Sequence, residues 1–369
     1  MNILEQVHVD SEAEIPLVAQ LTQQITWLIA SGELQEGDKL PPIREFAQAL
    51  GIHMHTVRAA YQRLEADMLV TVHPGRGTIV LPFDPKFVAR TRPNLPSFLI
   101  GVLIPVPMPV YQPYIEAIYH ASRNSRWMPI ICYTGDNPLL TEKYIHKLIA
   151  KQVDGFIVTS VGLTESFEKV VQIDQSPPIV FVDAPHVQRN SFLGDPKSAA
   201  YQATHHLIEH GHERIALITA PLDWENVIPC YQGYQRALGE NGIPLDPKLI
   251  VEVPDFNPTS GYEGAIELLR RDTPPLAVFS IADGLAIGAL QAFNKSGLSV
   301  PGDVAITSFN NIEAAALVTP GLTTATFPAY ELGILAVQRI QDLLSNQDVE
   351  EGQIVLESKL VIRQSCGCP

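Results

Sequence analysis

The sequence lacks the segments that would take a protein into or across a membrane. No apolar run approaches the roughly 20 residues needed to span a bilayer, and the first residues, MNILEQVHVDSEAE, have neither the basic start nor the apolar core of a secretion signal. Only four cysteines are present, at positions 132, 230, 366 and 368, and their spacing offers no disulfide framework. We therefore expect a globular, cytoplasmic protein with reduced thiols and no membrane partner.

Basic residues are also scarce, which argues against a generic nucleic-acid binder. The 369 residues include 25 lysines and arginines against 40 aspartates and glutamates, a net charge of −15. The stretch from 40 to 80 departs from this balance, because its four arginines outnumber its acids, Glu45, Glu65 and Asp67. If this stretch binds DNA, its non-specific affinity should be weak, and specific binding should need two such heads on one site.

The same stretch has the pattern of a helix-turn-helix. Apolar residues repeat at helical spacing in two short segments: Ile43, Phe46, Ala47 and Leu50 in the first, and Val57, Ala60, Tyr61 and Leu64 in the second. Gly51 between them permits a sharp turn. Burial of the second set leaves His55, Arg58, Gln62 and Glu65 on the opposite face, where a DNA major groove could meet them. The alternative is a small helical domain whose arginines are simply solvated.

A predicted hairpin follows the second helix. Two β-rich runs, 69–72 and 78–81, flank the segment His73-Pro74-Gly75-Arg76-Gly77. Glycines beside a single arginine would let the backbone and Arg76 approach phosphates or a narrow minor groove. The hairpin therefore reads as the wing of a winged helix-turn-helix.

These residues resemble the GntR family of bacterial regulators. The matching elements are a first helix like 16–31, Leu40-Pro41-Pro42-Ile43-Arg44, Thr56-Val57-Arg58 and Gly75-Arg76-Gly77-Thr78. The resemblance implies that Arg44 and Arg58 contact phosphate and bases and that Gly75 meets the minor groove. His53 stands where the family usually has a Ser or Thr cap, and Met54 where arginine is common. The predicted DNA-binding residues are Arg44, His53, His55, Thr56, Arg58, Gly75, Arg76 and Gly77.

Composition changes after the head. Residues 82–96 contain four prolines and no apolar period, and from Phe98 short apolar runs alternate with amphipathic segments. The predicted strands are 100–105, 130–133, 155–159, 179–182, 215–219, 277–281 and 304–308. The predicted helices lie near 112–126, 141–151, 163–174, 197–210, 231–241, 259–271 and 284–296. We predict an α/β protein with an N-terminal winged helix-turn-helix (1–82), a proline-rich linker (83–97) and a two-lobed body with parallel sheets (98–369).

The body resembles the LacI/GalR regulators and the related periplasmic sugar-binding proteins. Matching motifs include Ile100-Gly101-Val102, Val180-Phe181-Val182-Asp183, His210-Gly211-His212, Asp283-Gly284-Leu285 and Pro320-Gly321-Leu322-Thr323-Thr324. The resemblance implies three crossings between lobes, near Phe192, Asn310 and Ser345. Lobe 1 would then be 98–192 and 310–345, and lobe 2 193–309 and 346–369. It also implies a homodimer on operator DNA, in which an effector in the cleft biases lobe closure.

The resemblance also suggests an effector site. Asp183 and Asp283 stand where the family uses acids to accept from hydroxyl groups, and Phe256 where it has a stacking aromatic; Tyr111 and Tyr114 are candidates for the opposite wall. Cys230 occupies the position of a ligand-gripping arginine, and Asn310 replaces an Asp. The alternative is that the two acids cap helices and that Phe256 belongs to the core. Without that arginine the site should prefer a small neutral ligand, sugar-like or ring-bearing, over phosphates and carboxylates.

An enzyme is the alternative from a different class. His205, His206, His210 and His212 resemble a metal or acid–base cluster, but they lie where a helix turns into a strand, and no nucleophile motif or phosphate loop accompanies them. Cys366-Gly367-Cys368 could bind a soft metal or oxidise, yet no second cluster in the sequence completes a tetrahedral site. We therefore predict no enzyme, no cofactor and no metal site. A further alternative is a DNA-binding regulator whose body senses a partner protein.

Overall fold

The structure is a computed structural model that describes residues 3–11, 15–73, 77–84, 97–123, 125–159, 177–184, 190–271, 277–345 and 352–368. Several sequence predictions concern other residues. Most of the proline-rich linker and the helix near 163–174 lie outside the described part of the chain, as do Gly75 and Arg76 at the tip of the wing.

The N-terminal residues fold into three helices and a three-stranded sheet. After a 3-10 turn (Ile3–Glu5), the helices are α1 (Leu17–Ala30), α2 (Ile43–Leu50) and α3 (Met54–Ala66). The antiparallel strands are β1 (Lys39–Leu40), β2 (Val70–His73) and β3 (Gly77–Val80), in the order β1-β3-β2. Gly51 follows α2 at φ 64°, in the left-handed region that glycine enters without strain, so the chain turns directly towards α3. The predicted winged helix-turn-helix is confirmed.

The core of this head contains the apolar set read from the sequence. Phe46, Val57, Ala60 and Leu64 are completely buried, and the Phe46 and Tyr61 ring centroids are 6.2 Å apart. The Tyr61 hydroxyl donates to the carbonyl oxygen of Pro41 at 2.8 Å, and burial raises the pKa of this phenol. One side chain therefore fills the core and fixes the segment before α2 against α3.

Residue contacts divide the chain into two compact units. The first comprises Met1–Pro107, Ile118–Ser191 and Ala336–Gly352, and the second Met108–Ala117, Phe192–Leu335 and Gln353–Pro369. Beyond the head, the first unit holds the parallel strands β4 (Leu99–Ile104), β5 (Met128–Tyr133), β6 (Gly155–Thr159) and β7 (Ile179–Val182), in the order β7-β6-β4-β5. Every residue of β6 is buried, as expected for a strand covered on both faces.

Two helices follow the first strands of this sheet. They are α4 (Gln112–Arg123), which begins in the second unit after a 3-10 turn (Pro109–Tyr111), and α5 (Pro138–Ala150). Asn137 caps α5 through its side-chain oxygen, which accepts from the Leu140 amide at 3.1 Å. Strand β8 (Ser191–Leu193) spans the boundary at which the chain enters the second unit.

The second unit has a six-stranded sheet. Its strands are β9 (Ile215–Thr219), β10 (Ile250–Glu252), β11 (Ala277–Ser280), β12 (Ala305–Asn310), β13 (Thr323–Thr326) and β15 (Leu360–Val361). Strand β14 (Gln353–Val355) precedes β15 in the chain and is not one of these six. The order is β10-β9-β11-β12-β13-β15, parallel except for β15. The helices are α6 (Pro196–Glu209), α7 (Ile228–Glu240), α8 (Pro258–Leu269), α9 (Asp283–Lys295), α10 (Glu313–Leu317) and α11 (Ala329–Leu344), which runs on into the first unit.

The second crossing between units falls later than the sequence analysis placed it. The chain crosses after Leu335, not near Asn310, because β12 pairs in parallel with β13 and keeps the intervening residues in the second unit. Further boundaries between the units lie at 191/192 and 352/353, and a short excursion of the chain into the second unit adds two more, at 107/108 and 117/118. None of the described helices combines the length and apolar character needed to cross a bilayer.

Candidate DNA-binding surface and effector site

Helix α3 presents the residues predicted to read DNA. His55 and Arg58 are exposed and Thr56 is half-buried, while Val57 and Tyr61 point into the core. His53 begins the helix, and its Nδ1 accepts from the His55 amide at 3.2 Å. The two imidazole rings are stacked, with centroids 5.0 Å apart. His53 therefore caps α3, as Ser or Thr usually does in the family that the head resembles. The presence of histidine at this position leaves the start of the helix intact.

Arginines on the head differ in their surroundings. Arg63 on α3 is paired with Asp67, at 3.7 Å between Nε and Oδ2. Within the described residues, Arg44 on α2 and Arg58 on α3 are exposed and lack such an acidic partner. An unpaired guanidinium on an exposed face keeps all its donors for phosphate or a guanine edge. Contact of Arg44 and Arg58 with DNA stays a prediction.

The wing is attached to the recognition helix. The Val72 amide in β2 donates to Oε1 of Glu65 in α3 at 3.0 Å, and β2 pairs with β3 along its length. Gly77 opens β3 at φ 93°. Gly75 and Arg76 lie outside the described residues. The DNA contacts of Gly75, Arg76 and Gly77 therefore remain a prediction.

The head packs against the body of the first unit. The Trp27 ring in α1 lies 5.3 Å from Nζ of Lys147 and 4.7 Å from Nζ of Lys151, measured to the ring centroid. Phe83 contacts His146 in α5, with ring centroids 4.9 Å apart. Burial lowers the pKa of His146, and Glu142 and Asp84 oppose that shift. Helix α5 is therefore one element of the body that the head contacts.

Asp183 ends strand β7 in the first unit. It adopts φ 55°, in the left-handed region, and it is partly buried. Burial raises the pKa of its carboxyl group to about 6. A desolvated carboxyl at a strand end, in a backbone conformation that non-glycine residues rarely adopt, is typical of a functional site.

The carboxyl edge of the second unit's sheet, meaning the residues that follow β9 to β13, carries an aromatic pair. Trp224 follows β9 and Phe256 follows β10, and their ring centroids are 5.7 Å apart. Trp224 is 38% exposed and Phe256 is partly exposed. Phe256 was predicted from the sequence, whereas Trp224 was not. The signal for Trp224 was its place just after a strand on the ligand-binding edge of a parallel sheet.

The loop that holds Phe256 is ordered by one carboxylate. Asp255 accepts from the Asn257 amide and side chain, both at 2.8 Å, and from the Ser260 hydroxyl at 2.6 Å. These bonds, led by the Ser260 hydroxyl, lower the pKa of Asp255. The aromatic wall is thus set in place by its own loop.

Asp283 lies on the same edge but is fully buried. Its Oδ1 accepts from the Ser308 hydroxyl and, at 2.7 Å, from the Thr324 hydroxyl, while Oδ2 accepts from the Ile312 amide at 2.8 Å. Burial raises the pKa of this carboxyl group to about 6, although those hydrogen bonds and Arg363 oppose the shift. Asp283 was predicted to contact the ligand. In the structure its carboxylate accepts from three protein donors and has no solvent exposure.

Two asparagines, the last residue of β12 and the one after it, have positive φ. Asn310 has φ 113° and Asn311 φ 53°. Arg363 donates through Nη2 to Oδ1 of Asn311 and through Nη1 to the carbonyl oxygen of Leu322, at 2.8 and 2.7 Å. Asn310 is partly buried. The guanidinium therefore holds the turn that carries Asn310 at the edge.

A cavity of about 480 Å³ opens beside this turn, within the second unit. It is lined by Pro109, Gln112, Pro113, Glu116, Ile312, Glu313 and Ala314. Its volume is that of a small-ligand site. Its two glutamates make it rich in acceptors and hostile to anions, and neither was singled out in the sequence because each reads as an ordinary helix residue.

The remaining predicted effector residues have other surroundings. Tyr114 is buried beside Gly333 of α11, where its ring and carbonyl leave no room for a side chain. Cys230 is buried in α7 and belongs to the core of the second unit. Tyr111 is partly buried at the turn before α4. The fold brings Phe256, Asp283 and Asn310 to one edge, whereas Tyr114 and Cys230 hold core positions.

Comparison with known proteins identifies both parts of the chain. The model of bacterial regulatory proteins of the gntR family matches residues 17–80, and that of the periplasmic binding protein-like domain matches residues 204–366. The ribose operon repressor of Haemophilus influenzae is 31% identical over 293 residues, covering 77% of this chain and 86% of the relative. The transcriptional repressor PurR of Histophilus somni (strain 129Pt) is 29% identical over 288 residues, covering 77% and 86%.

Solved structures agree with these relatives. The regulator CcpA of Lactococcus lactis has a TM-score of 0.64 and 27% identity, covering 72% of this chain and 98% of that one. A LacI family regulator from Enterococcus faecium, solved with bound ribose, gives the same TM-score, identity and coverage. These relatives are transcriptional regulators, not enzymes. The chain therefore belongs to the LacI family of DNA-binding transcriptional repressors and carries a head of the bacterial gntR type.

Proposed function

We propose that this regulator responds to a neutral, hydroxyl-bearing metabolite of about pentose size, bound at the carboxyl edge of the second unit's sheet. The observation that carries the proposal is the pairing of an aromatic wall, Trp224 and Phe256, with an acceptor-rich cavity lined by Glu116 and Glu313. β9 lies two strands from β12 and β10 three, so the strands that lead to the wall are about 10 and 14 Å from the strand that leads to the cavity mouth.

Ligand chemistry follows from those groups. Ring faces pack on the apolar face of a sugar or base, and carboxylates accept hydrogen bonds from its hydroxyls. Phosphates and carboxylates meet only repulsion from Glu116 and Glu313. A pentose is the natural first candidate, since one relative is named a ribose operon repressor and a similar structure holds ribose. Asp283 is proposed as a positioning residue.

The DNA side of the proposal rests on the head. Arg58, His55 and Thr56 of α3 would read bases in the major groove, Arg44 would bind a phosphate, and the wing residues Gly75, Arg76 and Gly77 would reach the minor groove. His53 would act through the helix cap. We assign the head to 1–82 and the linker to 83–97, and we propose a cytoplasmic homodimer that places two heads on one operator.

A two-stage binding experiment tests this function. An operator is first selected from random duplexes with the full-length protein, and its affinity is then measured by fluorescence anisotropy with D-ribose, D-galactose, adenosine or ribose 5-phosphate present. We expect a neutral compound to change operator affinity by roughly tenfold or more, since allosteric coupling is commonly 1–3 kcal/mol. A response confined to the phosphorylated sugar would refute the neutral site, and failure to select any operator would refute DNA reading by the head.

A further inference from the structure

Two histidines and a cysteine from distant parts of the chain meet in the second unit. Sγ of Cys368 lies 3.0 Å from Nε2 of His210 and 3.4 Å from Nε2 of His206. The three potential ligand atoms all lie within 4.8 Å of one another. Imidazole nitrogen and thiolate sulfur are the donors that zinc and related borderline-soft metals prefer.

Local structure explains why the donors converge. His206 and His210 stand one helical turn apart at the end of α6, so both project from one face, with ring centroids 4.4 Å apart. The C-terminal segment is held beside that helix, since Gln202 of α6 donates to the carbonyl oxygen of Ser358 at 2.9 Å. Gly367 then turns the chain at φ 93°, a conformation that favours glycine, just before Cys368.

The tail is anchored to the sheet just before the cluster. The Ser365 hydroxyl donates to the carbonyl oxygen of Ile306 at 2.6 Å and accepts from the Thr323 amide at 2.8 Å. On the helix side, Thr307 of β12 donates to the carbonyl oxygen of Ala203 at 3.0 Å. Both supports of the cluster are thus bonded to the same strands, so the donors are held in place before any metal binds.

A neighbouring carbonyl selects the tautomer of the neutral His210 ring. Its Nδ1 lies 2.8 Å from the carbonyl oxygen of His206. Because a carbonyl can only accept, Nδ1 carries the hydrogen, and Nε2 presents its lone pair towards Cys368. A ring that donates its outer N–H to a backbone carbonyl and offers the other nitrogen is the usual arrangement of a metal-ligating histidine.

The spacing also fits a metal. Zinc–sulfur and zinc–nitrogen bonds of about 2.3 and 2.0–2.1 Å, at a tetrahedral angle, separate sulfur from nitrogen by roughly 3.5 Å. The distances from Cys368 to the two histidines need to open only a little to reach that value. Cys366 lies two residues before Cys368, but its buried Sγ accepts from the Thr323 hydroxyl at 3.1 Å and donates to the carbonyl oxygen of Arg363 at 3.5 Å.

We propose that His206, His210 and Cys368 bind a zinc-type metal ion with three protein ligands and a fourth, exchangeable position. The ion would join the last residues of the chain to helix α6. In the sequence, the histidine group and the Cys-Gly-Cys tail are separate features, and no metal site was predicted from either. Neither is sufficient alone, and only the fold of the second unit brings them together.

Cobalt is the probe that tests the site, because a cobalt–thiolate bond gives an absorption band that oxygen or nitrogen ligands do not. Full-length reduced protein, stripped with a chelator, is titrated with Co²⁺ and then with Zn²⁺. We expect one ion per chain, a thiolate-to-cobalt charge-transfer band, and its loss as zinc displaces cobalt. Cys368→Ser and His210→Gln should each weaken binding by roughly 100-fold or more, since loss of a group that only orients a ligand already costs up to about that much.

Matched variants distinguish this site from general surface binding. His205→Gln changes the neighbouring histidine, whose Nδ1 faces Glu209 at 3.6 Å, and Cys132→Ser removes a thiol of the first unit. Both should bind cobalt as the unaltered protein does. Circular dichroism must show every variant folded, and the exposed position of His210 makes that the expected result. Absence of a thiolate band, or unchanged affinity in folded Cys368→Ser, would overturn the proposal.

Discussion

Nζ of Lys151 lies 4.7 Å above the ring of Trp27, so a lysine of the body rests on a tryptophan of the DNA-binding head. Lys147, one turn earlier on α5, contacts the same ring. A cation over an indole face contributes about 0.5–1 kcal/mol at a partly exposed site. This contact adds to apolar packing, since buried residues of α1, such as Ile25, and of α5, such as Leu148, belong to one hydrophobic cluster.

Charge reversal at this contact should loosen the head. Lys147→Glu/Lys151→Glu places two anions over the negative face of the indole, so we expect amide hydrogens of α1 and α5 to exchange several-fold faster in full-length protein. Lys143→Glu is the control, since this exposed lysine lies on the same helix. Equal exchange in the double variant and the control would show that the lysines do not hold the head.

Arg58 and Arg63 on α3 should differ in their effect on operator binding. Arg58→Ala removes a free guanidinium and should weaken binding by about 1–3 kcal/mol per half-site, while Arg63→Ala, which breaks the pair with Asp67, should change it little. Anisotropy titrations at fixed salt measure both. Equal losses would mean that the recognition face is wrongly assigned.

Asp183 should make the protein more stable as the pH falls. Its pKa rises from the ordinary 3.8 to about 6 on burial, so the folded state binds a proton that the unfolded state lacks between about pH 4 and 6. The resulting stabilisation is complete below pH 4 and is lost as the pH rises through 6. Asp183→Asn should therefore raise stability at pH 7.5 by up to about 3 kcal/mol and flatten the pH profile of Tm. A variant less stable than the parent at pH 7.5 would contradict this.

Asp283→Asn should do the opposite, although burial raises the pKa of this carboxyl group to a similar value. The amide has one acceptor oxygen where the carboxylate has two, so one or more of the Ser308, Thr324 and Ile312 donors loses its partner. We expect destabilisation by about 2–3 kcal/mol in urea unfolding of the full chain. Unchanged stability would show that these bonds contribute little.

Removal of the aromatic wall should abolish the effector response but not DNA binding. Trp224→Ala truncates an exposed side chain, so the fold should survive while the response of operator affinity to the active compound falls by roughly tenfold or more. Trp127→Ala, in the first unit, is the matched control. A Trp224→Ala protein that responds as the parent does would place the ligand elsewhere.

Much of the fold could be predicted because it depends on local pattern. Buried runs such as 155–159 and 215–219 became strands, and the helix-turn-helix followed from Gly51 and the apolar spacing of α2 and α3. Helix α11 and strand β13 were missed. β13 is Thr323-Thr324-Ala325-Thr326, whose burial comes from its neighbours in the sheet and not from its own polarity.

The candidate sites were less predictable because they depend on contacts between residues that are far apart in the sequence. The sequence around Asp283 is compatible with a carboxylate that binds a ligand and with one that accepts from three protein donors. Only the three-dimensional structure distinguishes these roles. Trp224 contacts Phe256, although the two residues follow different strands, and Cys368 contacts His210, although 158 positions separate them in the sequence. Sequence spacing carries no record of such contacts.

The placement of Trp27 also gives the protein a built-in optical sensor. The chain has three tryptophans, and the other two contact Phe98 in the first unit and Phe256 in the second. With Trp127 and Trp224 replaced by phenylalanine, the remaining emission would come from an indole beneath two ammonium groups. Its wavelength and intensity would then follow attachment of the head in real time, without any dye, during a single stopped-flow mixing with DNA.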